Sequence, residues 1–161
     1  MSVDSVREHL RQYGLEDRLM EFDLSSATVS LSARAVGVEE ARIAKTLSFR
    51  AADGGALLVV CAGDARIDNP RFKAALGMKA KMLSAEEAKE LTGHSVGGVC
   101  PFALKPGVRV CLDTALQRFD MVYPAAGSAA SAVRLSPEEL ALASGGDWVT
   151  VCKLDAGETQ A

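Results

Sequence analysis

Residues 44–62 of this chain read AKTLSFRAADGGALLVVCA, and this stretch decides the fold. Residues 44–50 alternate as in an extended strand, which places Lys45 on its more apolar side. Asp53-Gly54-Gly55 is typical of a hairpin turn, and the apolar run at 56–62 has the length of a buried strand. We therefore expect two antiparallel strands at the centre of the core.

Shorter elements surround this hairpin. Capping residues and apolar spacing predict helices that begin at Ser2, Ser25 or Ser26, Asn69, Ser84 and Ser136. Ser5 and Glu8 have the spacing of a capping box in the first of these helices. Strands are predicted at 19–22, 79–83, 108–113, 118–123, 131–135 and 148–152. Strands outnumber helices and do not alternate strictly with them, which favours an α+β domain with a mixed sheet.

The composition fits one folded domain rather than a disordered or fibrous chain. The 161 residues are 48% apolar and 24% charged, and the net charge is -3. We expect a single domain at residues 1–152 and a flexible tail at 153–161. The slightly negative charge gives no general attraction to nucleic acid or to an anionic membrane. Because no signal-like or membrane-spanning stretch is present, we expect a cytoplasmic protein with no membrane partner.

The cysteines lack the paired spacing of a metal-binding motif. They stand at Cys61, Cys100, Cys111 and Cys152. A disulfide framework is poorly motivated without an export signal, so we expect free thiols in a reducing compartment. Only His9 and His94 could join the thiols as soft ligands, and we expect neither a metal site nor a cofactor.

Lys45 is the first candidate for chemistry. If alternation turns its side chain inward, an unpaired ammonium is costly unless a carboxylate, a ligand anion or water meets it. An ordinary lysine is a cation at neutral pH, which makes electrostatic stabilisation its default role. The alternative is a lysine whose register turns it outward, or one that extends its head group to solvent from the start of the strand.

A glycine-rich loop at residues 93–101, GHSVGGVCP, is the most unusual stretch of the chain. Its backbone N–H groups could bind a phosphate or carboxyl oxygen, because glycine permits close approach. A loop that merely needs positive φ angles is the alternative, since the ending of a P-loop is missing. His94 and Cys100 could form a thiolate–imidazole pair, but packing and a loop hydrogen bond are the commoner roles.

Five basic residues gather in one short part of the chain. We name this set the basic patch: Arg66, Arg71, Lys73, Lys79 and Lys81. Such a cluster in an otherwise acidic protein could follow a phosphate backbone. The alternative is a solvated helix face, since Phe72 is the one aromatic residue interleaved with these cations.

Several motifs together resemble the YbaK/ProX family of freestanding aminoacyl-tRNA editing proteins, which are similar to the insertion domain of bacterial prolyl-tRNA synthetases. The matching motifs are Thr28-Val29, Val36-Gly37-Val38, Ile43-Ala44-Lys45-Thr46-Leu47, Gly93-x-x-x-Gly97-Gly98-Val99-x-Pro101-Phe102 and Ala125-Ala126-Gly127-Ser128. They span about residues 5–150 in order. The combination of the lysine-threonine strand with the glycine loop is more specific than either motif alone.

The resemblance implies a fold, an activity and a set of site residues. The fold is a curved, barrel-like mixed sheet flanked by short helices. The activity is hydrolysis of the ester that joins a wrong small amino acid to tRNA, with Cys-tRNA(Pro) as the example, and the partners are the tRNA acceptor end and prolyl-tRNA synthetase. Lys45 matches the essential lysine. The implied substrate-binding residues are Thr46, Gly93, His94, Gly97, Gly98, Val99, Pro101, Gly127 and Ser128.

Three positions depart from the bacterial Cys-tRNA(Pro) deacylases of that family. His94 stands where they have tyrosine, and Ala126 stands where they have a second glycine. They also have an acidic residue near the position of Ala132, which is missing here. These departures leave the edited amino acid open. The alternative function is a noncatalytic module of the same fold that binds tRNA, a nucleotide or a synthetase.

Overall fold

The computed structural model describes residues 3–23, 28–95 and 98–154. The helices in these ranges are α1 Val3–Arg11, α2 Val29–Val36, α3 Asn69–Leu76, α4 Ala85–Thr92 and α5 Pro137–Ser144. The strands are β1 Leu19–Glu21, β2 Ile43–Arg50, β3 Ala56–Ala62, β4 Ala65–Ile67, β5 Arg109–Asp113, β6 Tyr123–Pro124, β7 Ser131–Val133, β8 Asp147–Val149 and β9 Cys152–Leu154. Short 3₁₀ helices cover Glu16–Arg18, Glu40–Arg42 and Thr114–Arg118.

A five-stranded mixed sheet forms the centre, in the order β6-β2-β3-β5-β8. The pair β2–β3 is antiparallel, while β6, β5 and β8 join in parallel. Two antiparallel pairs, β1–β7 and β4–β9, make separate two-stranded sheets. The predicted α+β fold with a mixed sheet and short helices is confirmed. Within the described ranges the strands form three sheets and no closed barrel.

The central hairpin confirms the prediction from residues 44–62. Its register pairs Arg50 with Ala56 and Ala44 with Ala62. In the turn, Gly54 has a φ of 89°, which favours glycine, and the Asp53 carboxylate accepts the Gly55 N–H at 2.8 Å. Strand β3 is buried along its whole length because β2 and β5 flank it on both edges.

The helices cover this sheet with a few large side chains. Val6 and Leu10, four residues apart on α1, are fully buried. Phe49 of β2 packs against Phe72 of α3 with ring centroids 5.0 Å apart. The cysteines are buried free thiols, as predicted. No helix in the described ranges is long and apolar enough to cross a membrane.

Two predicted helix starts are confirmed, two are wrong, and the one at Ser2 lies outside the described residues. Capping boxes begin α4 at Ser84 and α5 at Ser136. The start predicted at Ser25 or Ser26 is wrong, because α2 is capped by Thr28, whose side chain accepts the Leu31 N–H at 3.1 Å. Ser5, which has the spacing of a capping box with Glu8, lies inside α1. Ser25 and Ser26 lie outside the described residues.

The second wrong start concerns the cap of α3, which the sequence predicts at Asn69. The Asp68 carboxylate accepts the Arg71 N–H at 3.1 Å, so the cap stands one residue before Asn69. A capping side chain accepts the N–H of a residue two or three positions later, and Asp68 stands three residues before Arg71.

Three predicted strands differ from the structure. Residues 79–83 make only an isolated bridge to β2, between Met82 and Phe49. The strand predicted at 118–123 is much shorter: Arg118 ends a 3₁₀ helix, which Asp113 starts by accepting the Ala115 N–H at 3.0 Å. Val122 makes an isolated bridge, and only Tyr123 of the predicted range belongs to β6.

The strand predicted at 148–152 is divided into β8 and β9. The other oxygen of the Asp113 carboxylate accepts the N–H groups of Val151 and Cys152, at 2.9 and 3.0 Å, which takes these groups out of any strand pairing. Strand β9 then pairs with β4 as far as Leu154. Lys153 and Leu154 are therefore strand residues rather than part of a tail.

Candidate functional site

A cavity of about 400 Å³ opens beside strand β2. Its walls come from β2, α2, the segment before and within α4, the glycine loop and the small-residue turn after β6. The lining residues are Thr28, Val29, Ser32, Ile43, Ala44, Lys45, Thr46, Leu47, Ser48, Met82, Leu83, Ser84, Ala85, Ala88, Val99 and Ala125. Lys45, Thr46 and Val99 are the predicted site residues among them.

The cavity exists because one edge of β2 is covered only at its two ends. Strand β6 pairs with its start and reaches Ala44. At the other end, Arg50 N–H donates to the Lys81 carbonyl at 2.8 Å and Leu83 N–H donates to the Ser48 carbonyl at 3.0 Å. Backbone groups of alternate strand residues point to the same edge. The N–H and C=O of Thr46 therefore face the uncovered stretch.

The side chain of Thr46 adds a polar group to this wall. Its hydroxyl oxygen is buried, and no described residue hydrogen-bonds to it. An unsatisfied buried hydroxyl is costly, so an uncommitted one at a cavity wall is a ready partner for a polar group of a ligand.

Lys45 is half-buried and lies across from Cys61 in the β2–β3 register. Its ammonium donates a hydrogen bond to the Ala65 carbonyl at the start of β4. No carboxylate among the described residues forms an ion pair with it. A neutral carbonyl orients the ammonium without cancelling its charge, so a cation is available at the cavity wall.

The glycine loop and the small-residue turn after β6 lie in direct backbone contact. A Cβ on Gly98 would lie 2.7 Å from both the Gly127 carbonyl carbon and the Ser128 nitrogen. A side chain at position 98 is therefore excluded. Val99 and Ala125 contribute to the cavity wall from these two segments. Gly98, Gly127 and Ser128 themselves do not line the cavity.

Two further residues of the loop have structural roles. Gly93 ends α4 with a φ of 91°, and its N–H donates to the Lys89 carbonyl at 2.9 Å. Pro101 is buried, and neither residue lines the cavity. Gly97, which was predicted to bind substrate, lies outside the described residues.

His94 and Cys100 meet in the protein interior, away from the cavity lining. Cys100 Sγ is 3.6 Å from His94 Nε2, which itself lies 2.7 Å from the Phe102 carbonyl oxygen. Burial raises the pKa of the Cys100 thiol to about 12 and lowers the pKa of His94. Both groups are therefore neutral at pH 7, and a thiolate–imidazolium pair does not form.

All five residues of the basic patch are exposed. Arg71 is partly committed to the fold, since its guanidinium donates to the Cys152 carbonyl at 2.6 Å. Arg66 pairs across the β4–β9 ladder with Lys153, an exposed cation that was predicted to lie in the tail. Lys81 precedes Met82, which lines the cavity and is 60% exposed. The patch thus adjoins the cavity at Lys81.

The sequence did not predict that helices α2 and α4 form walls of the cavity. The sequence did carry one signal, Thr28-Val29, which belongs to the motifs quoted above and begins α2 at the cavity. Met82 gave no signal, because a single methionine in a basic stretch has no distinctive pattern. Within the described ranges, no three His, Cys, Asp or Glu side chains are grouped to hold a metal ion.

Comparison with known proteins gives consistent matches. The family model described as "Aminoacyl-tRNA editing domain" matches residues 25–142. The chain is 49% identical over 154 residues to YwhH of Bacillus subtilis (strain 168), described as uncharacterized, and the match covers 95% of this chain and 98% of that protein.

Two further matches have more specific descriptions. EbsC of Enterococcus faecalis, described as a candidate Cys-tRNA(Pro)/Cys-tRNA(Cys) deacylase, is 26% identical over 136 residues, which is 81% of this chain and 83% of EbsC. The crystal structure of a candidate trans-editing enzyme for prolyl-tRNA synthetase has a TM-score of 0.85 and 28% identity. That match covers 94% of this chain and 96% of the solved one.

Proposed function

The chain belongs to the aminoacyl-tRNA editing domain family, and on that premise we propose that it hydrolyses the ester between a wrongly attached small amino acid and a tRNA. Cys-tRNA(Pro) is the first substrate to test. The observation that carries this proposal is the Lys45 ammonium, which lies at a cavity wall with a carbonyl rather than a carboxylate as its partner.

The chemistry follows from where charge develops. Attack on an ester carbonyl moves negative charge onto the carbonyl oxygen, and fixed donors in a poorly hydrated site stabilise that charge. One ammonium hydrogen of Lys45 is bound by the Ala65 carbonyl, and among the described residues no other group hydrogen-bonds to the ammonium, so its other hydrogens can meet the oxyanion. The Thr46 N–H faces the same cavity and is a second donor. The nucleophile is water or a hydroxyl group of the substrate.

The cavity size favours a small aminoacyl group. About 400 Å³ is at the lower end of the range of small-molecule sites. Val29, Leu83 and Val99 give it apolar walls. One methylene changes binding in such a pocket by only about 1–3 kcal/mol, so selection by volume rejects larger residues more strongly than near neighbours in size.

We further propose that the basic patch holds the acceptor end of the tRNA and that prolyl-tRNA synthetase adds affinity as a partner. Replacing Arg66 and Lys81 with Gln should raise KM with little change in kcat. The slope of log affinity against log salt should become shallower by about 0.7–0.9 for each phosphate that the variant no longer neutralises. Lys105→Gln, outside the patch, is the control. An unchanged slope after neutralising the whole patch would contradict this assignment.

The test of the proposed function is ester loss from a panel of mischarged tRNAs, including Cys-, Ala- and Ser-tRNA(Pro). The wild-type protein should shorten the lifetime of at least one ester, and Lys45→Ala should not. The noncatalytic alternative predicts the opposite behaviour: tRNA binding without ester loss, or protection of the ester. That result would overturn the deacylase proposal.

A further inference from the structure

The turn between β3 and β4 holds the acceptor of the Lys45 hydrogen bond, and it is fixed from two sides. At Gly63, an added Cβ would overlap the Glu40 carbonyl oxygen and lie 2.8 Å from Val29 Cγ1. The turn therefore packs directly against a 3₁₀ helix and α2. Ala65, whose carbonyl binds the ammonium, follows two residues later.

Between them lies Asp64, a carboxylate that is only 8% exposed. The Arg118 guanidinium binds this carboxylate in a bidentate manner: Nη2 donates to Oδ1 at 2.7 Å, and Nη1 donates to Oδ2 at 3.1 Å. A guanidinium that binds a carboxylate through two parallel N–H bonds adds geometric specificity as well as energy. Arg118 is itself fixed, because its Nε donates to the Ala115 carbonyl at 2.7 Å and its guanidinium carbon lies 4.7 Å from the Phe119 ring centre.

This arrangement separates a buried anion from a cation held at the adjacent residue. Asp64 immediately precedes Ala65, yet its carboxylate is bound by Arg118 and Lys45 binds the neutral carbonyl. Removing the partner of a buried carboxylate is strongly destabilising, because it leaves an uncompensated buried charge. A nearby cation that pairs with the carboxylate offsets part of that cost. For Asp64, the cation held at the adjacent residue is Lys45.

We propose that Arg118 is a positioning residue that occupies the Asp64 carboxylate and thereby leaves the Lys45 ammonium free for the substrate. This inference rests on the proposed function of Lys45. A merely structural role predicts a different result. If Arg118 acts by occupying Asp64, the loss of activity in an Arg118 variant is caused by the unpaired Asp64 carboxylate. Removing both members of the pair should therefore restore what removing Arg118 alone destroys.

The experiment compares deacylation by Arg118→Met, Asp64→Asn and the double variant. Arg118→Met should lower kcat at least about tenfold, because a paired lysine stabilises the oxyanion poorly. Asp64→Asn should cost only about twofold to threefold, and the double variant should return to about that level. Arg118→Lys, which keeps the charge without the bidentate geometry, should lie between Arg118→Met and the wild type.

Arg42→Met is the matched control. The Arg42 guanidinium also stacks on Phe119, at 5.0 Å, but its carboxylate partners are Glu39 and Asp120. This variant should retain the wild-type kcat. If the double variant is as slow as Arg118→Met, the pair is only structural and the positioning role is wrong. A wild-type kcat in Arg118→Met would also overturn it.

A second readout needs no tRNA. Lys45 is labelled with acetic anhydride at fixed pH, and the rate of its modification is followed by mass spectrometry with Lys105 as internal standard. Labelling should slow severalfold in Arg118→Met and recover in the double variant, because an ion-paired amine is a poorer nucleophile. Equal labelling in all variants would overturn the positioning role even if hydrolysis is found. Absence of hydrolysis in the wild type would instead overturn the proposed function.

Discussion

The cavity around Lys45 and the buried contact between His94 and Cys100 both hold groups that could do chemistry, and they differ in solvation. Lys45 is half-buried at the wall of an open cavity, whereas His94 is 1% exposed and Cys100 is fully buried. Burial keeps the second pair neutral, since it raises the pKa of the thiol and lowers that of the imidazole. Access and charge, rather than reactive residue type, distinguish the site from the core.

The largest expected effect separates the two regions directly. Lys45→Met keeps the length of the side chain and removes its charge, so kcat for ester hydrolysis should fall about 10²–10³-fold, as for the removal of other oxyanion donors. The free energy of unfolding should change little, because the side chain is half-exposed. Single-turnover kinetics and urea unfolding measure the two quantities. A similar kinetic loss in Cys100→Ala would remove the distinction between the regions.

The next effect tests the backbone contact that joins the glycine loop to the cavity wall. Gly98→Ala places a Cβ 2.7 Å from the backbone of Gly127 and Ser128, so one segment must move. The expected cost is about 1–3 kcal/mol in unfolding free energy, with a rise in KM as the adjacent Val99 shifts.

Gly55→Ala is the matched control for this substitution. Its Cβ would lie 3.1 Å from the Asp53 carboxylate, which can move, and 3.8 Å from the Gly107 carbonyl oxygen, which is an ordinary contact distance. Unfolding free energies from urea titration should therefore separate the two alanine variants clearly. Equal stability for the two would show that the loop at position 98 yields without cost.

A smaller effect concerns the pH dependence of stability. Burial lowers the pKa of His94 below its unfolded value, which is about 6.5. The unfolded state therefore binds a proton first as the pH falls, and the stability that neutral His94 contributes above about pH 6.5 is lost progressively below it. The slope is at most about 1.4 kcal/mol for each pH unit. In His94→Gln this part of the slope should disappear from urea unfolding measured between pH 7 and pH 5. A slope that remains unchanged would contradict it.

The sequence predicted what depends on short-range signals. The Asp53-Gly54-Gly55 turn and the alternation that follows Ala44 lie within one hairpin, and its pairing is confirmed. The capping boxes at Ser84 and Ser136 also act over three residues and are confirmed. Such signals need no knowledge of the rest of the fold.

Contacts between distant segments could not be predicted in this way. The Asp113 carboxylate binds the N–H groups of Val151 and Cys152, 38 and 39 residues away, and that contact divides a predicted strand. The site shows the same limit. A glycine at position 98 indicates that a side chain is excluded, but only the fold shows that the excluding neighbour is Gly127. Met82 likewise becomes a wall residue only because its segment binds the edge of β2.

The smallest expected effect is on the reactivity of Cys100. A thiol with a pKa of about 12 is almost entirely protonated at neutral pH, so it is a poor nucleophile. Iodoacetamide should leave the deacylation rate of the native protein within about twofold of its starting value. Cys100→Ala should likewise keep kcat and lose only about 1 kcal/mol of stability, since a small buried side chain is removed. Rapid inactivation that Cys100→Ala abolishes would show that this thiol is reactive and reached by solvent, and the contrast with the Lys45 cavity would then fail.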